Sequence, residues 1–411
     1  MTTSHLVELE AREADWLFAP DRTIRGFTFN GEVPGPVIEA NVGDTIEVRL
    51  TNNLSQATTI HWHGIRVPAD MDGTSEVQRP VEPGESFTYR FAVPDAGTFW
   101  YHSHHNETEQ IERGLYGPLI VRAVDEPRLD RERILVVDDL KLTSAGELAP
   151  FGDSHEHHAG REGEVRLLNG RQEPELELRG GQLERWRMVN AANTRYVRLS
   201  IGGRPFSIIG TDGGLLPAPR QATEVLLTPG ERVDLIVGPF EEGDLIEVEG
   251  LPYDRGQGES ERERFATVRV GATASSRAEL PDLAREIAPL VAPGTEPTRT
   301  ISMKTLMHGG HDQRDEPVHV GEIQVWELVN DSHGDHPFHL HGFFFQVVEV
   351  DGEPSPVLSW EDTVNVPQGS RIKIAWLPDD RPGWWMYHCH ILEHHAMGMM
   401  AHFQVVPSGT A

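Results

Sequence analysis

Cysteine is almost absent from this chain, because Cys389 is the single thiol among 411 residues. One thiol excludes an internal disulfide. Basic residues are also scarce, since 36 lysines and arginines stand against 65 acidic residues and leave a formal charge of −29. Such a surface favours solubility and disfavours nucleic acid and anionic membranes as partners. No apolar run has the length of a membrane-spanning helix, and nothing in the sequence predicts an oligomeric state.

An export signal is also missing. The N-terminal stretch MTTSHLVELEARE has no basic segment followed by an apolar one. Cysteine usage does not indicate the compartment either. We expect an exported protein, periplasmic or secreted, whose signal peptide is absent from this sequence, and a cytoplasmic protein is the alternative.

Helical periodicity is scarce, whereas 29 prolines and 40 glycines supply many turns. A strand-rich repeat occurs three times, beginning with GDTIEVRLTNNL at 43–54, GGQLERWRMVN at 180–190 and GEIQVWELVN at 321–330. Its alternation of apolar and polar residues is typical of half-buried strands. We therefore predict an all-β fold of three antiparallel Greek-key β-sandwiches. The predicted domains are residues 1–127, 128–272 and 298–411, with a linker at 273–297 that contains a short helix around PDLAREIA.

Histidine is unusually frequent, with 21 copies, and four His-x-His pairs lie in the first and last repeats. The middle repeat has no histidine at the corresponding places. Residues i and i+2 of a strand share a face, so each pair directs two imidazoles the same way. Eight buried histidines without a metal would leave costly unpaired polar groups, and imidazole suits copper, zinc, iron and nickel. A metal site between the outer domains is predicted at His61/His63, His102/His104, His339/His341 and His388/His390.

Cys389 narrows the choice of metal to copper. A thiolate, two imidazoles and a weak axial thioether form the blue-copper electron-transfer site. The block HCHILEHHAMGMM at 388–400 offers Cys389, then His394 and Met399 five and ten residues on. His336 in HPFHLHG is the candidate for the second imidazole. A lone buried cysteine is more often a small hydrophobe, and zinc prefers a closed site without a redox role, but the flanking spacing favours copper.

The order His-Cys-His has a geometric consequence on a strand. His388 and His390 face one side, and Cys389 faces the other. A mononuclear centre on the thiolate side and a polynuclear cluster on the imidazole side would then be joined by a short stretch of one strand. This arrangement predicts electron transfer from the first centre to the second.

These motifs resemble those of the multicopper oxidases of the three-domain, laccase-like bacterial type: HWHG at 61–64, WYHSH at 100–104, HPFHLH at 336–341 and HCHILEHHAMGM at 388–399. TDGGLLP at 211–217 also resembles the family, so the resemblance covers essentially the whole chain. It implies three cupredoxin-like domains and four copper ions. The implied type 1 ligands are His336, Cys389, His394 and Met399. The implied ligands of the other ions are His61 and His339 for type 2, His63, His102 and His390 for one type 3 ion, and His104, His341 and His388 for the other.

The resemblance also implies a mechanism. A reducing substrate gives single electrons to the type 1 copper at the exposed edge of His394, Cys389 conducts them to the trinuclear cluster, and dioxygen is reduced there to water. Asp72 in VPADMDG matches the acidic residue that the family uses beside the cluster for proton transfer, although Asp before Gly is also an ordinary turn residue. Many bacterial relatives have a second acidic residue directly after the type 1 histidine. This chain has His395 there, and the nearby Glu393 need not face the same way.

The substrate is less sharply indicated than the chemistry. Relatives that oxidise cuprous or ferrous ions often carry a methionine-rich insertion, and this chain has nine methionines and no such run. We therefore expect small aromatic donors, namely phenols, aminophenols and aryl amines, with a metallo-oxidase for Cu(I) or Fe(II) as the alternative. A copper nitrite reductase or a simple cupredoxin would leave several paired imidazoles unexplained. Two tracts, SMKTLMHGGHD at 302–312 and DSHEHHAG at 153–160, are interpreted as loops rather than accessory copper sites.

Overall fold

The computed structural model describes residues 3–274, 279–283 and 285–409. Within these residues six β-sheets pack face to face in pairs, and each pair encloses one hydrophobic core. The few helices are short. The predicted all-β fold of three consecutive β-sandwiches is confirmed. No helix in the described ranges is both long enough and apolar enough to span a membrane.

The first sandwich contains eight strands, one 3₁₀ turn and one short helix. They are β1 (Ser4–Ala19), β2 (Arg22–Phe29), β3 (Ile38–Asn41), β4 (Thr45–Asn52), β5 (His61–His63), the turn Ala69–Met71, β6 (Ser86–Ala92), β7 (Gly97–His102), α1 (Glu107–Glu112) and β8 (Tyr116–Arg122). The two sheets have the orders β2-β1-β4-β6 and β3-β8-β7-β5. Alternate residues Ile46, Val48 and Leu50 of β4 point into the core, as the period of two predicts. The neighbouring strands β5 and β7 place His61 opposite His102.

The middle sandwich is the largest. Its elements are β9 (Arg131–Leu140), α2 (Ser154–Ala159), β10 (Val165–Leu168), β11 (Arg171–Gln172), β12 (Glu175–Arg179), β13 (Glu184–Asn190), β14 (Val197–Ile201), β15 (Phe206–Thr211), β16 (Gly214–Ala222), β17 (Glu224–Leu227), β18 (Arg232–Val237), β19 (Leu245–Leu251) and β20 (Glu263–Gly271). The sheets have the orders β11-β10-β9-β13-β18-β15-β16 and β12-β20-β19-β14-β17. Because β18 lies between β13 and β15, every residue of it is buried, including Arg232.

The third sandwich carries the second half of the histidine motifs. Its elements are β21 (Arg299–Ser302), α3 (Met303–Met307), β22 (Val318–His319), β23 (Gln324–Val329), β24 (His336–Leu340), β25 (Phe345–Val350), β26 (Glu353–Pro354), β27 (Thr363–Val366), β28 (Arg371–Trp376), β29 (Gly383–Cys389), α4 (Leu392–Ala396) and β30 (Met400–Val406). The sheets have the orders β21-β23-β28-β25-β26 and β22-β30-β29-β24-β27. The neighbours β24 and β29 place His339 opposite His388 and Phe338 opposite Cys389.

Most strand pairs are antiparallel, as predicted, but each sheet also contains one parallel pair among its described strands. The parallel pairs are β1/β4, β3/β8, β9/β13, β12/β20, β21/β23 and β22/β30. Side chains alternate between the two faces of a strand whichever way its neighbour runs. The alternation in the sequence therefore revealed the strands but not the direction of each pairing.

The prediction of a short helix around PDLAREIA is wrong, because its described residues 281–283 and 285–288 are not helical. Arg285 Nη1 donates instead to the carbonyl oxygens of Gly213 at 2.6 Å and Leu215 at 2.9 Å in the middle sandwich. Farther along, the Leu290 N–H donates to Gln346 Oε1 of the third sandwich at 2.8 Å. Contacts with both sandwiches override a weak local helix propensity. The predicted domain boundaries stay predictions.

Candidate metal centres

Three predicted ligands of the type 1 copper meet at one end of the third sandwich. Cys389 Sγ lies 3.5 Å from His336 Nδ1 and 3.6 Å from His394 Nδ1. His336 is the first residue of β24, Cys389 is the last residue of β29, and His394 lies in α4, the helix that follows β29. All three side chains are buried. Two strand ends and a short helix thus bring together one thiol and two imidazoles.

The second nitrogen of each imidazole has a partner of its own. His336 Nε2 lies 2.7 Å from Ser332 Oγ, and His394 Nε2 lies 3.1 Å from the carbonyl oxygen of His158. Burial lowers the pKa of His336 to about 3 and that of His394 to about 4. Burial raises the pKa of the Cys389 thiol to about 12. Both imidazoles are therefore neutral, as metal ligands are, and a metal would have to displace the thiol proton.

Met399, the predicted axial ligand, is buried beside these three residues. Its N–H donates to the His394 carbonyl at 2.9 Å, and its carbonyl accepts from the Cys389 N–H at 3.1 Å. Met400 is also buried, but its sulfur lies 3.3 Å from His311 Nδ1 and so faces the 302–312 segment. The position of Met399 agrees with an axial role, which stays a prediction.

The eight paired histidines converge between the first and third sandwiches, and we call them the histidine cage. Two triplets have metal-binding atoms within 4.8 Å of one another: His63, His102 and His390, and His104, His341 and His388. These are the two triplets predicted for the type 3 ions. The predicted type 2 pair also meets, because His61 Nε2 and His339 Nε2 are 3.5 Å apart. At the end of β29, His388 and the following His390 point into the cage. Cys389, between them, points to the other side, where it forms the thiol site with His336 and His394.

The outer ring nitrogens of the cage are held by hydrogen bonds. Four bind backbone carbonyls: His61 Nδ1 to Asp72 (3.0 Å), His102 Nδ1 to Ser103 (2.9 Å), His339 Nδ1 to Asp362 (2.9 Å) and His388 Nδ1 to Cys389 (2.9 Å). Three bind carboxylates: His63 Nε2 to Asp362 Oδ1 (3.0 Å), His104 Nδ1 to Glu107 Oε1 (2.8 Å) and His341 Nδ1 to Asp72 Oδ2 (2.9 Å). Such bonds fix the tautomer and the ring orientation of histidines that bind metal.

Several inner nitrogens of the cage, in contrast, are buried without any hydrogen-bond partner. They include His63 Nδ1, His102 Nε2, His104 Nε2 and both ring nitrogens of His390. Burial lowers the pKa of His63, His102 and His390 well below the ordinary value, which keeps these rings neutral. Buried polar atoms normally have partners, and a metal ion would provide them here. The cage and the thiol site therefore fit copper, for which imidazole and thiolate are suitable ligands.

Asp72 is both a turn residue and a carboxylate of the cage. It follows the 3₁₀ turn Ala69–Met71 and precedes Gly73, whose φ is 84°. Its Oδ2 lies 2.9 Å from His341 Nδ1, its Oδ1 lies 3.3 Å from His61 Nδ1, and the residue is 1% exposed. The location suits the predicted proton transfer, which stays a prediction.

His395, where this chain departs from many relatives, also reaches the cage. Its Nδ1 lies 2.7 Å from Glu107 Oε2, and the other oxygen of that carboxylate binds His104. Burial raises the pKa of Glu107, but His104 and His395 outweigh this effect and hold it well below the ordinary value. A carboxylate therefore lies beside the cage close to His395, although it comes from α1 of the first sandwich. Its only sequence signal is the spacing of three residues after His104 at the start of a helix.

Other polar residues around the site were missed or left open. Glu393 accepts from Asn193 Nδ2 at 3.0 Å and Thr194 Oγ1 at 2.9 Å, so it faces the middle sandwich. Asp362 accepts from His63, and Arg232 donates to both oxygens of that carboxylate. Neither Asp362 nor Arg232 lies in a histidine motif, and no spacing in the sequence connects them.

Both tracts interpreted as loops contain short helices, so that interpretation is wrong for α2 and α3. The side chain of Asp153 caps α2 by accepting from the His155 N–H at 2.8 Å, and Ser302 caps α3 by accepting from the Thr305 N–H at 3.1 Å. Met303 is buried in the core, whereas His308 and His311 are exposed.

Helix α2 matters for the thiol site. The expectation that the edge of His394 is exposed is wrong. The His158 carbonyl binds Nε2 of His394, and His394 is only 3% exposed. His155 and His158 of this helix are themselves exposed. The helix therefore forms a cover between the imidazole edge and solvent.

Three protein-family models, each described as multicopper oxidase, match residues 10–126, 132–243 and 287–409 of this chain. The chain is 31% identical to multicopper oxidase MmcO of Mycobacterium tuberculosis over 90% of this chain and 81% of that protein. It is 29% identical to Laccase-2 of Cryptococcus neoformans over 93% of this chain and 81% of that protein. A solved multicopper oxidase of Campylobacter jejuni, described as a metallo-oxidase, has a TM-score of 0.86 and 31% identity over 98% of this chain and 91% of that one. This chain belongs to the multicopper oxidase family, whose members are copper-dependent oxidoreductases that use dioxygen as the oxidant.

Proposed function

We propose that this chain is a laccase-like oxidase that takes single electrons from phenols and aryl amines and passes them to dioxygen, which becomes water. The observation that carries the proposal is the His-Cys-His segment at the end of β29, which contributes to both donor sets. One type 1 ion is assigned to His336, Cys389, His394 and Met399, and one type 2 and two type 3 ions to the histidine cage. Bound copper would supply a one-electron acceptor at Cys389 and the four-electron reduction of dioxygen in the cage.

The residues of β29 give electrons a short route. Cys389 lies between His388 and His390, and adjacent strand residues rise only ~3.3 Å. Because the His158 carbonyl binds His394 Nε2 at 3.1 Å, a donor does not touch the imidazole edge directly. Electrons from the substrate would enter across α2 and reach Cys389 through His394.

Protons for water formation must also reach the cage. Asp72 contacts two cage histidines, His61 and His341, and one of its carboxylate oxygens has no hydrogen-bond partner. We assign proton transfer to Asp72, which makes Cys389, His394 and Asp72 the catalytic residues. The Glu107 carboxylate, which binds His104, orients that ligand in this proposal.

Aromatic donors are favoured over metal ions because the cover over His394 carries no methionine. Thioether ligands select Cu(I), and the nearby Met400 is buried. The second candidate function is a metallo-oxidase for Cu(I) or Fe(II). It is favoured by the imidazoles of His155, His157 and His158 on α2, since imidazole also binds copper and iron, and the Campylobacter jejuni relative is described as a metallo-oxidase.

A copper count followed by turnover with two donors tests the proposal. We expect about four copper ions per chain with a blue absorption band, and faster turnover with a methoxyphenol than with Cu(I). The double variant His155→Gln/His157→Gln should leave methoxyphenol turnover unchanged, as should the control His319→Gln in β22. A protein without bound copper would refute the proposal. Preferred Cu(I) turnover that falls only in the α2 variant would establish the metallo-oxidase instead.

A further inference from the structure

We propose that Arg232, from the middle sandwich, which contributes no histidine to the cage, is a positioning residue of the histidine cage. It holds Asp362 where that carboxylate fixes the metal-binding nitrogen of His63. The inference rests on the proposed copper function and adds a residue that binds no metal itself. The middle sandwich would then help to orient a ligand of the cage, whereas the histidine pattern indicated a role there for the outer sandwiches alone.

The Arg232 guanidinium is fully buried and contacts all three sandwiches. Nη1 donates to Asp362 Oδ1 at 2.7 Å and Nη2 donates to Asp362 Oδ2, so the pair is bidentate. Nε donates to the Thr98 carbonyl oxygen in β7 at 3.2 Å, and Asp212 Oδ1 lies 3.3 Å from Nη1. Arginine keeps its charge in proteins, and a bidentate pair is directional. Both oxygens of Asp362 are therefore held in place.

Asp362 in turn contacts two cage histidines. Its Oδ1 lies 3.0 Å from His63 Nε2, and its backbone carbonyl lies 2.9 Å from His339 Nδ1. Because His63 Nε2 donates to a carboxylate, the lone pair of the neutral ring is on Nδ1. That Nδ1 is one of the buried nitrogens without a partner. The two rings stack with centroids 3.8 Å apart and an interplanar angle of 13°, so a shift of one ring would move the other.

The glycine of the HWHG motif supports the same assignment. Gly64 has a φ of +85°, and a Cβ there would come within 2.7 Å of Asp362 Oδ2 and closer still to Arg232 Nη2. The bidentate pair thus occupies the space that a side chain at position 64 would need. Gly64 follows His63 directly, so the motif leaves room for the pair that orients its own histidine.

A purely structural role is the alternative, because a buried ion pair between sandwiches also affects folding. Arg185 in the neighbouring strand β13 provides a matched control. Its side chain is 2% exposed, and it binds Glu126 at 2.6 Å and Asp234 at 2.5 Å. In the described part of the chain neither carboxylate is hydrogen-bonded to a histidine. Loss of Arg185 therefore removes a similar ion pair and leaves the cage contacts intact.

The test compares Arg232→Met, Arg232→Lys and Arg185→Met with the wild type. Copper-free protein is titrated with Cu(I) against a competing chelator, and the reoxidised protein is examined for the type 2 signal by electron paramagnetic resonance and for the blue band. We expect Arg232→Met to weaken copper binding in the cage about 10–100-fold, which is typical when a partner of a metal-bound histidine is removed. The blue band per chain should stay unchanged. Arg232→Lys should lose less of the copper affinity of the cage than Arg232→Met does. Arg185→Met should have the same copper affinity as the wild type.

A second readout does not need copper. Nitrogen-15 NMR of the copper-free wild type should show His63 protonated at Nε2, and Arg232→Met should show a mixture of tautomers. Wild-type cage affinity in Arg232→Met, or equal losses in Arg232→Met and Arg185→Met, would overturn the inference. If Arg232→Met does not fold, wild-type cage affinity in Arg232→Lys overturns it. A wild type that binds no copper would refute the proposed function, and the inference with it, whereas the variant outcomes bear on Arg232 alone.

Discussion

Copper binding at Cys389 should release one proton per ion. In the copper-free protein, burial raises the pKa of Cys389 to about 12 and lowers the pKa of His336 to about 3 and that of His394 to about 4. From about pH 5 to about pH 11 the thiol is therefore protonated, and both imidazoles are neutral. Copper binds the thiolate, so the thiol proton must leave, whereas the imidazoles have no proton to lose at Nδ1.

The sign and the size of the pH dependence follow from this proton. The raised thiol pKa favours the protonated form, which competes with copper at low pH, so affinity must rise with pH. One displaced proton means a tenfold change per pH unit, and a rise from about pH 6 to about pH 8 should strengthen Cu(I) binding about 100-fold, or about 3 kcal/mol. Below about pH 4 the imidazoles also take up protons and the dependence should steepen.

Competition titration with a Cu(I) chelator at several pH values measures this slope. Occupancy of the thiol site is read separately from the cage, by the blue band that develops after oxidation with dioxygen. The variant Cys389→Ser has no thiolate and therefore no blue band, so its bound copper is counted directly. It keeps its hydroxyl proton and should bind copper weakly at this site, with a slope near zero. A slope near zero in the wild type would refute the reasoning, because the thiolate would already exist. A slope near two would show that an imidazole is protonated as well.

Further variants probe other parts of the site. Asp72→Asn should slow reoxidation of the reduced enzyme by roughly 10²–10⁴-fold without changing reduction of the type 1 copper; unchanged reoxidation in stopped-flow would remove Asp72 from proton transfer. Glu107→Gln should lose the charge-assisted bonds to His104 and His395, and the cage should retain copper about 10–100-fold less tightly during dialysis against a chelator. The variant Glu109→Gln is its control, because Glu109 is a half-buried residue of the same helix whose carboxylate pairs with Arg113. Equal copper loss in both variants would contradict the expectation. Met399→Leu should raise the potential of the type 1 copper, which is tuned by the axial ligand; an unchanged potential in redox titration would show that the sulfur does not coordinate.

Local patterns were sufficient to predict the fold class and the ligand types. A strand directs residues i and i+2 to one face, so each His-x-His motif predicts that two imidazoles point to the same side of the sheet. Cys389, His394 and Met399 lie within eleven residues of one chain segment, and their spacing alone indicated a blue-copper set. The family resemblance then divided the eight cage histidines into one pair and two triplets, and in the structure the members of each group lie together.

Residues that orient the ligands could not be predicted in the same way, because their partners come from other sandwiches. Arg232 and Asp362 are 130 positions apart, and Glu107 and His395 are 288 apart. No periodicity or spacing connects such pairs, since their contact depends on how whole sandwiches dock. The covering of His394 by α2 has the same origin, because the His158 carbonyl lies 236 positions away. The chain's local chemistry thus specifies which residues are the predicted copper ligands. The docking of the three sandwiches decides which residues orient those ligands and cover them from solvent.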